Sequence, residues 1–320
     1  MCSNVPNVVK ERSTAETQRK FVIHLFQSIS YFYFMNAIEI VNLRKNYGKI
    51  TALNNMSLDV PEGTIYGLVG PNGSGKTTLI KALVGSLRPG SGSVKVLGLD
   101  PLKDKWKLRK QIGYMPQSAA LYDDLSARNN ILFFGKAQNV AELHKKVDDI
   151  LAFAELTNRA NDKVSTFSGG MKKRVSLCCA LVHDPKIIFL DEPTAAVDPH
   201  LKMQSWILFR KLALRGVTIF VSTHQMDEVM LCDKVTLLLN GEILAVDTPQ
   251  NILQLGKTTL KIVVNKTENN TVIDSTAKGL ADELKKSGLD ATISSVELHA
   301  DTIEDIILSM LCEKEKEARQ

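Results

Sequence analysis

A glycine-rich stretch ending in a lysine-threonine pair is the part of the sequence most directly suited to chemistry. It follows an apolar run, fits the phosphate-binding loop pattern GxxxxGK[ST], and consists of Gly70, Pro71, Asn72, Gly73, Ser74, Gly75, Lys76 and Thr77. Glycines let the backbone wrap around phosphate oxygens, and the start of the following helix adds free N–H groups. We expect Lys76 to reach the β- and γ-phosphates of ATP and Thr77 to ligate Mg²⁺, with Thr78 beside them. Such a turn can be merely structural, but the Lys-Thr pair at this position argues against that.

Two adjacent carboxylates follow a second apolar run. The segment from Lys186 to Leu190 predicts a buried strand, and Asp191 and Glu192 come directly after it. Asp191 would hold Mg²⁺ through water, and Glu192 would polarise the water that attacks the γ-phosphate. A charged loop after a strand is the alternative, and the upstream phosphate-binding loop argues against it.

A second small, polar turn precedes a helix that begins with basic residues. Ser168, Gly169 and Gly170 could form another anion-binding nest at that helix start. An ordinary serine cap is the simpler interpretation of this turn taken alone. One ATP needs only one phosphate-binding loop. A symmetric dimer, in which each nest covers the nucleotide of the other subunit, would account for the second cradle.

Taken in this order, the motifs resemble those of the ABC ATPase family, over roughly Ile38 to Leu253. The resemblance implies that Tyr47 stacks on adenine and that Gln117 contacts Mg²⁺ and relays to a membrane partner. It also implies that Asp198 lies in the dimer-interface loop and that His224 contacts the γ-phosphate. The implied activity is ATP hydrolysis driven by closure of a dimer with a second copy or a homologous ATPase. The implied location is the cytoplasmic face of a membrane, peripheral to an integral membrane transporter subunit.

The sequence departs from the family pattern at two places. Phe167 and Met171 replace the outer residues of the usual Leu-Ser-Gly-Gly-Gln signature, and Ala195 begins an Ala-Ala-Val run where a serine is common. A methionine at this place, followed by basic residues, is similar to exporters of drugs, lipids or polysaccharides. Two alternatives remain: a soluble ABC-type ATPase in translation or DNA repair, and a non-transport regulatory ATPase.

Composition narrows the class of partner. The chain has 320 residues, with 40 basic and 35 acidic side chains and a net charge of +5. This balance argues against a nucleic-acid partner, because such proteins usually concentrate basic charge on one face. Five cysteines without a CxxC pair argue against a disulfide scaffold or a zinc site.

The elements that must position these motifs form an α/β P-loop NTPase core with an antiparallel β subdomain and a helical subdomain. We expect residues 1–34 to be an extension of uncertain role, containing most of a short aromatic run from Phe21 to Met35. Residues 35–255 would form the ATPase domain, with the helical subdomain at about 123–166. Residues 256–320 would form a small βαβα appendix with a charged tail. Asn240-Gly241 predicts a hairpin turn.

A membrane partner would dock beside Gln117, over the stretch from Ala120 to Arg128. Leu121, Tyr122 and Leu125 would anchor a helix of that partner. Packing inside the helical subdomain is the alternative role of these three side chains.

Overall fold

The computed structural model describes residues 36–195, 197–264, 267–273, 277–287, 293–306 and 308–310. The predictions for the extension 1–34, for the aromatic run up to Met35, for Ala196 and for the tail beyond residue 310 fall outside the described residues.

A six-stranded sheet forms the centre of the core and confirms the predicted α/β class. Its order along the sheet is β5-β6-β7-β3-β8-β9, and only the last pair is antiparallel. The strands are β3 (Ile65–Val69), β5 (Ile112–Met115), β6 (Ile187–Asp191), β7 (Thr218–Thr223), β8 (Lys234–Leu239) and β9 (Glu242–Asp247). Strands β3, β6 and β7 are buried throughout, which is why their sequences are continuous apolar runs. The predicted turn joins β8 to β9, with positive φ at Asn240 and Gly241.

A separate three-stranded antiparallel sheet has the order β2-β1-β4. Its strands are β1 (Asn36–Tyr47), β2 (Ile50–Pro61) and β4 (Ser91–Val96). Gly92 lies inside β4 with φ +86°. A Cβ atom there would come within 2.4 Å of the Asn42 carbonyl oxygen. The glycine therefore allows a close approach of two strands rather than ending one.

Some of the helices pack on the central sheet, and others form the segment of the chain between β5 and β6. They are α1 (Lys76–Leu83), α2 (Lys105–Arg109), α3 (Ala127–Ala137), α4 (Leu143–Phe153), α5 (Gly169–Leu181), α6 (Pro199–Ala213), α7 (Met226–Val229), α8 (Pro249–Leu253) and α9 (Ala277–Ser287). The segment expected to form the helical subdomain, at about 123–166, contains two helices, α3 and α4, because the chain breaks at Asn139 and Glu142 with positive φ. None of the helices in the described part of the chain has both the length and the apolar character that crossing a membrane requires.

The C-terminal part is a second antiparallel sheet with the order β11-β10-β12, formed by β10 (Thr258–Val264), β11 (Thr267–Ile273) and β12 (Ile293–Ala300). Helix α9 lies between β11 and β12 in the chain. The expected βαβα order was wrong because it omitted β11. The first five of the seven residues of β11, Thr-Glu-Asn-Asn-Thr, are polar and carry no apolar alternation that would predict a strand.

Candidate functional site

The phosphate-binding loop connects β3 to α1 in a conformation that only glycine accepts easily. Gly75 precedes the first helical residue with φ +109°, and no side chain caps the N–H groups of the first turn. A Cβ atom on Gly70 would come within 2.1 Å of the Leu238 carbonyl oxygen, and one on Gly75 within 2.5 Å of the Ala52 carbonyl oxygen. The helix start therefore presents uncapped N–H donors toward the loop, which is the arrangement that binds phosphate.

Lys76 is held inside this loop. Its Nζ donates to the carbonyl oxygens of Gly70 at 2.7 Å and Pro71 at 3.0 Å. The same Nζ lies 3.6 Å from Glu192 Oε1, and the Lys76 side chain is only 5% exposed. Burial lowers the pKa of Lys76, while the nearby charge of Glu192 acts in the opposite direction. Beside it, the Oγ of Ser74 is buried without a hydrogen-bond partner among the described residues, so a phosphate oxygen would satisfy it.

Glu192 lies at the centre of a cluster that joins four of the predicted residues. Gln117 Nε2 donates to Glu192 Oε2 at 2.9 Å, and His224 Nδ1 lies 3.2 Å from Oε1. The Glu192 backbone has φ +49°, a left-handed value uncommon outside glycine, and its N–H is bonded to Ser222 at the end of β7. The structure therefore brings one carboxylate, one ammonium, one amide and one imidazole together at the carboxyl ends of the parallel strands.

Asp191 lies next to this cluster in a fixed orientation. It is buried at the end of β6, and its Oδ1 accepts a hydrogen bond of 2.6 Å from the Ser222 hydroxyl. Within the described part of the chain, no group of three or more histidine, cysteine or acidic side chains could hold a metal ion. A cation such as Mg²⁺, which keeps several waters and binds through one or two carboxylates plus phosphate oxygens, suits this donor set.

Lys173 is a residue of the site for which the sequence suggested no role beyond a basic helix start. It is the fifth residue of α5, and its Nζ donates at 2.8 Å to the carbonyl oxygens of both Glu192 and Ala195. Burial lowers the pKa of Lys173, with Glu192 and Glu228 acting in the opposite direction. This lysine ties the helix after Ser168 to the turn that carries Glu192. No short motif signals such a contact, because its partners are backbone atoms.

Glu228 organises a second buried network behind the cluster. Its carboxylate, in α7, is fully buried and accepts hydrogen bonds from the hydroxyls of Thr194 and Thr223, the latter at 2.5 Å. The Lys202 ammonium lies 3.2 Å from Glu228 Oε1. Because Thr194 follows Glu192 closely and Thr223 precedes His224, the network joins the two loops that hold these side chains. The sequence alone assigned Glu228 no role in the site.

The other predicted residues lie apart from this cluster. Ser168 Oγ caps its own helix by accepting from the Met171 N–H at 3.3 Å, and Asp198 caps α6 through the Leu201 N–H at 3.0 Å. Tyr47, at the end of β1, is 47% exposed, and the Lys45 ammonium lies 5.3 Å from its ring centroid. Across the described residues, no hydrogen bond or ion pair joins Ser168, Tyr47 or Asp198 to Lys76 or Glu192. Gly169 and Gly170 form the first two residues of α5.

Comparison with known proteins gives a consistent picture. The family model described as ABC transporter matches residues 53–195. The chain is 36% identical over 229 residues to the linearmycin resistance ATP-binding protein LnrL of Bacillus subtilis, covering 70% of this chain and 74% of that protein. It is 38% identical over 221 residues to the Nod factor export ATP-binding protein I of Rhizobium meliloti, covering 68% and 66%. It is 37% identical over 222 residues to the probable multidrug ABC transporter ATP-binding protein YbhF of Escherichia coli, but spans only 38% of its length, against 67% of this chain.

Solved structures show the same relationship. The ATP-binding subunit of an ABC transporter superposes with a TM-score of 0.63 at 26% identity, covering 68% of this chain and 91% of that one. A dimeric ATP-binding cassette in a post-hydrolysis state, bound to ADP and Pi, superposes with a TM-score of 0.59 at 28% identity, covering 66% and 98%. With the phosphate-binding loop and the Glu192 cluster in place, the chain belongs to the ABC transporter family, as one of its ATP-binding, ATP-hydrolysing proteins.

Proposed function

We propose that this chain hydrolyses ATP at a site shared between two ATPase subunits and thereby powers export through a separate membrane subunit. The observation that carries the proposal is the Glu192 carboxylate, which lies 3.6 Å from the Lys76 ammonium and is bonded to Gln117. A buried carboxylate beside a phosphate-binding loop is placed to accept a proton from an attacking water.

In this proposal the residues of the cluster have distinct roles. Lys76 and the N–H groups at the start of α1 bind the phosphates, and Glu192 polarises the water that attacks the γ-phosphate. His224 contacts the γ-phosphate and orients the Glu192 carboxylate to which it is bonded. Mg²⁺, held by Thr77, Gln117 and Asp191, would neutralise the charge that develops on the phosphate oxygens. Tyr47 would stack on the adenine ring.

The shared site is supported by the separation of the phosphate-binding loop from the second turn that could bind an anion. Ser168, Gly169 and Gly170 begin a long helix, yet no described contact brings them to the chain's own phosphate-binding loop. In a dimer this turn would cover the nucleotide of the other subunit, with Asp198 at the interface between them. The dimeric relative bound to ADP and Pi supports this arrangement.

Export is supported by two relatives, a Nod factor export protein and a linearmycin resistance protein. The protein would work at the cytoplasmic face of a membrane. Residues 35–255 would form the ATPase domain with its helical subdomain at about 123–166, residues 256–320 would form the appendix, and residues 1–34 would form an accessory extension.

The contact with the membrane subunit would lie on the loop that follows Gln117. Tyr122 is half-exposed and packs edge-on against the exposed ring of Phe133, with centroids 4.9 Å apart. The buried Asn130 side chain fixes this loop by bonding to the Tyr122 N–H at 2.8 Å and to its carbonyl oxygen at 3.0 Å. A rigid, exposed aromatic pair is the kind of anchor that a partner helix uses.

The shared site is tested with Glu192→Gln, which keeps the size of the side chain and removes its basicity. We expect ATP binding to persist, turnover to fall by about 10²–10⁴-fold, and the protein to elute as a dimer in size-exclusion chromatography with ATP and Mg²⁺. Lys76→Ala is the matched control and should stay monomeric, because it loses phosphate binding. A Glu192→Gln protein that binds ATP yet remains monomeric would contradict the shared site.

Export itself is tested in inside-out vesicles that contain this chain together with the membrane subunit that a pulldown identifies. ATP-dependent uptake into such vesicles corresponds to export from the cell. Uptake that is seen only in right-side-out vesicles supplied with internal ATP would reverse the proposed direction.

A further inference from the structure

Residues 102–110, the Trp106 patch, form an exposed basic and aromatic surface with no role in the ATPase site. Leu108 is buried and anchors the short helix α2 to the core. Trp106 is 74% exposed, and Leu102 beside it is also exposed. Trp206, the second of the two tryptophans in the chain, is 3% exposed. The ring of Trp106 therefore lies mostly in water on the folded surface, where it is available for a contact.

The patch is strongly cationic. It contains five basic side chains and one acidic one, Asp104; the basic residues are Lys103, Lys105, Lys107, Arg109 and Lys110. Lys103 lies 3.6 Å from Asp100, whereas no ion pair involves the other four within the described residues. The Lys105 ammonium and the Arg109 guanidinium lie 5.5 Å and 5.4 Å from the Trp106 ring centroid. Uncompensated positive charge therefore surrounds the exposed ring.

The patch lies at one end of the four-residue strand β5 and the proposed docking loop lies at the other, so a strand of about 13 Å separates them. Helix α2 leads directly into β5, which is the edge strand of the central sheet. The other end of β5 leads to Gln117 and the proposed docking loop. The Gln138 side chain, at the end of α3, also donates to the Arg109 carbonyl oxygen at 3.4 Å, so the patch borders the helical subdomain.

We propose that the Trp106 patch contacts the anionic surface of the lipid bilayer when the ATPase is docked on its membrane subunit. The idea rests on the proposed function, because that function requires a membrane close to the docking loop. Tryptophan prefers the membrane–water interface, and clustered lysine and arginine are attracted to anionic headgroups. The combination of one exposed ring with five cations matches an anionic bilayer better than it matches a neutral apolar groove. Contact with lipid would fix the orientation of the ATPase beside its partner.

The reporter for this contact is Trp106 itself. Residues 1–34 contain no tryptophan, so lipid binding by that extension would not produce a local signal. We expect the emission of the full-length protein to shift to shorter wavelength on adding protein-free vesicles of phosphatidylcholine with phosphatidylglycerol. Pure phosphatidylcholine should give little shift. The shift should vanish in Trp106→Phe, in which only the buried Trp206 still emits.

The charges are tested with the triple variant Lys103→Gln, Lys107→Gln and Lys110→Gln. Each cation near an anionic surface contributes about fivefold to partitioning, so we expect the vesicle-binding constant to fall by about 100-fold. The matched control changes three exposed lysines on other elements, Lys95, Lys211 and Lys257, and removes the same net charge. It should retain the fluorescence shift. ATPase activity in solution should be unchanged in both triple variants.

Three outcomes would overturn the proposal. The first is sedimentation with anionic vesicles without a Trp106 shift, which would place lipid binding elsewhere in the chain. The second is equal loss of binding in both triple variants, which would indicate a net-charge effect only. The third is a Trp106 shift that appears only when the membrane subunit is present in the vesicles, which would assign the patch to a protein contact. Failure of the Glu192→Gln dimer test would affect the proposed function but not this fluorescence result.

Discussion

Replacing Lys173 by methionine should reduce turnover without weakening ATP binding. The Lys173 ammonium donates to the carbonyl oxygens of Glu192 and Ala195 at 2.8 Å, and no described hydrogen bond or ion pair links it to the phosphate-binding loop. Methionine has a similar length and apolar stem but cannot donate. The substitution therefore removes two hydrogen bonds from the turn that carries Glu192 while leaving the phosphate-binding residues in place.

The magnitude follows from the backbone conformation of Glu192. A hydrogen bond from a charged donor contributes about 1.5–3 kcal/mol, so the two bonds together hold the turn with at least about 3 kcal/mol. The left-handed conformation of Glu192, with φ +49°, costs about 1–2 kcal/mol. Without Lys173 this strain is opposed mainly by the bonds from the Glu192 N–H to Ser222. We expect the carboxylate to leave its active position most of the time and kcat to fall by about 10–100-fold, which corresponds to about 1.4–2.8 kcal/mol.

The assay is steady-state phosphate release as a function of ATP concentration, together with direct nucleotide binding. The expected result is a lower kcat with KM for ATP within about twofold, as for loss of an interaction used only in the transition state. The matched control is Lys172→Met on the same helix turn, because Lys172 contacts Asp123 at 2.7 Å rather than the Glu192 turn. Lys173→Arg should recover part of kcat. An unchanged kcat in Lys173→Met, or an equal loss in Lys172→Met, would refute this role of Lys173.

Two further predictions concern the adenine end of the nucleotide site and the N-terminal end of the ATPase domain. Tyr47→Ala should weaken ATP binding by about 1–3 kcal/mol in an equilibrium titration, by analogy with base–aromatic stacking, whereas Tyr47→Phe should be near neutral. An equal loss in both variants would indicate that the hydroxyl is used instead. A chain that starts at Met35 should be soluble with unchanged kcat, because the first strand begins at Asn36 and the phosphate-binding loop lies well inside the core. An insoluble or inactive product would make residues 1–34 part of the folded unit.

The parts of the fold that the sequence predicted are those in which the local pattern and the tertiary environment agree. Strand β6 is buried throughout, so its continuous apolar run predicted it, and Asn240-Gly241 predicted the hairpin between β8 and β9. The strand β11 was missed for the opposite reason. Its residues pair with β10 through the backbone, while most of its side chains carry no apolar alternation. Backbone pairing leaves no signal in such a sequence.

The site was predictable where its residues belong to short sequence motifs. Lys76 and Glu192 belong to short motifs, and their types alone predicted phosphate binding and a general base. Their separation of 3.6 Å was not predictable from those motifs, because it depends on the neighbouring positions of β3, β6 and β7 in the sheet. Lys173 and Glu228 were given no role because each acts on backbone atoms or hydroxyls that come together only in the folded chain.

The turn at Ser168 is compatible with the proposed two-subunit site. Taken alone, an ordinary serine cap is the simpler interpretation, and Ser168 does cap its own helix through the Met171 N–H. A cap satisfies one of the four free N–H groups at a helix start, so the capping bond leaves donors for an anion. Lys173 on the same helix donates a hydrogen bond to the backbone of Glu192. Movement of that helix would therefore shift the Glu192 carboxylate. If a nucleotide from a second subunit binds at Ser168, hydrolysis in the two sites is mechanically linked. Lys173→Met should then lower kcat and also lessen any cooperativity in ATP concentration.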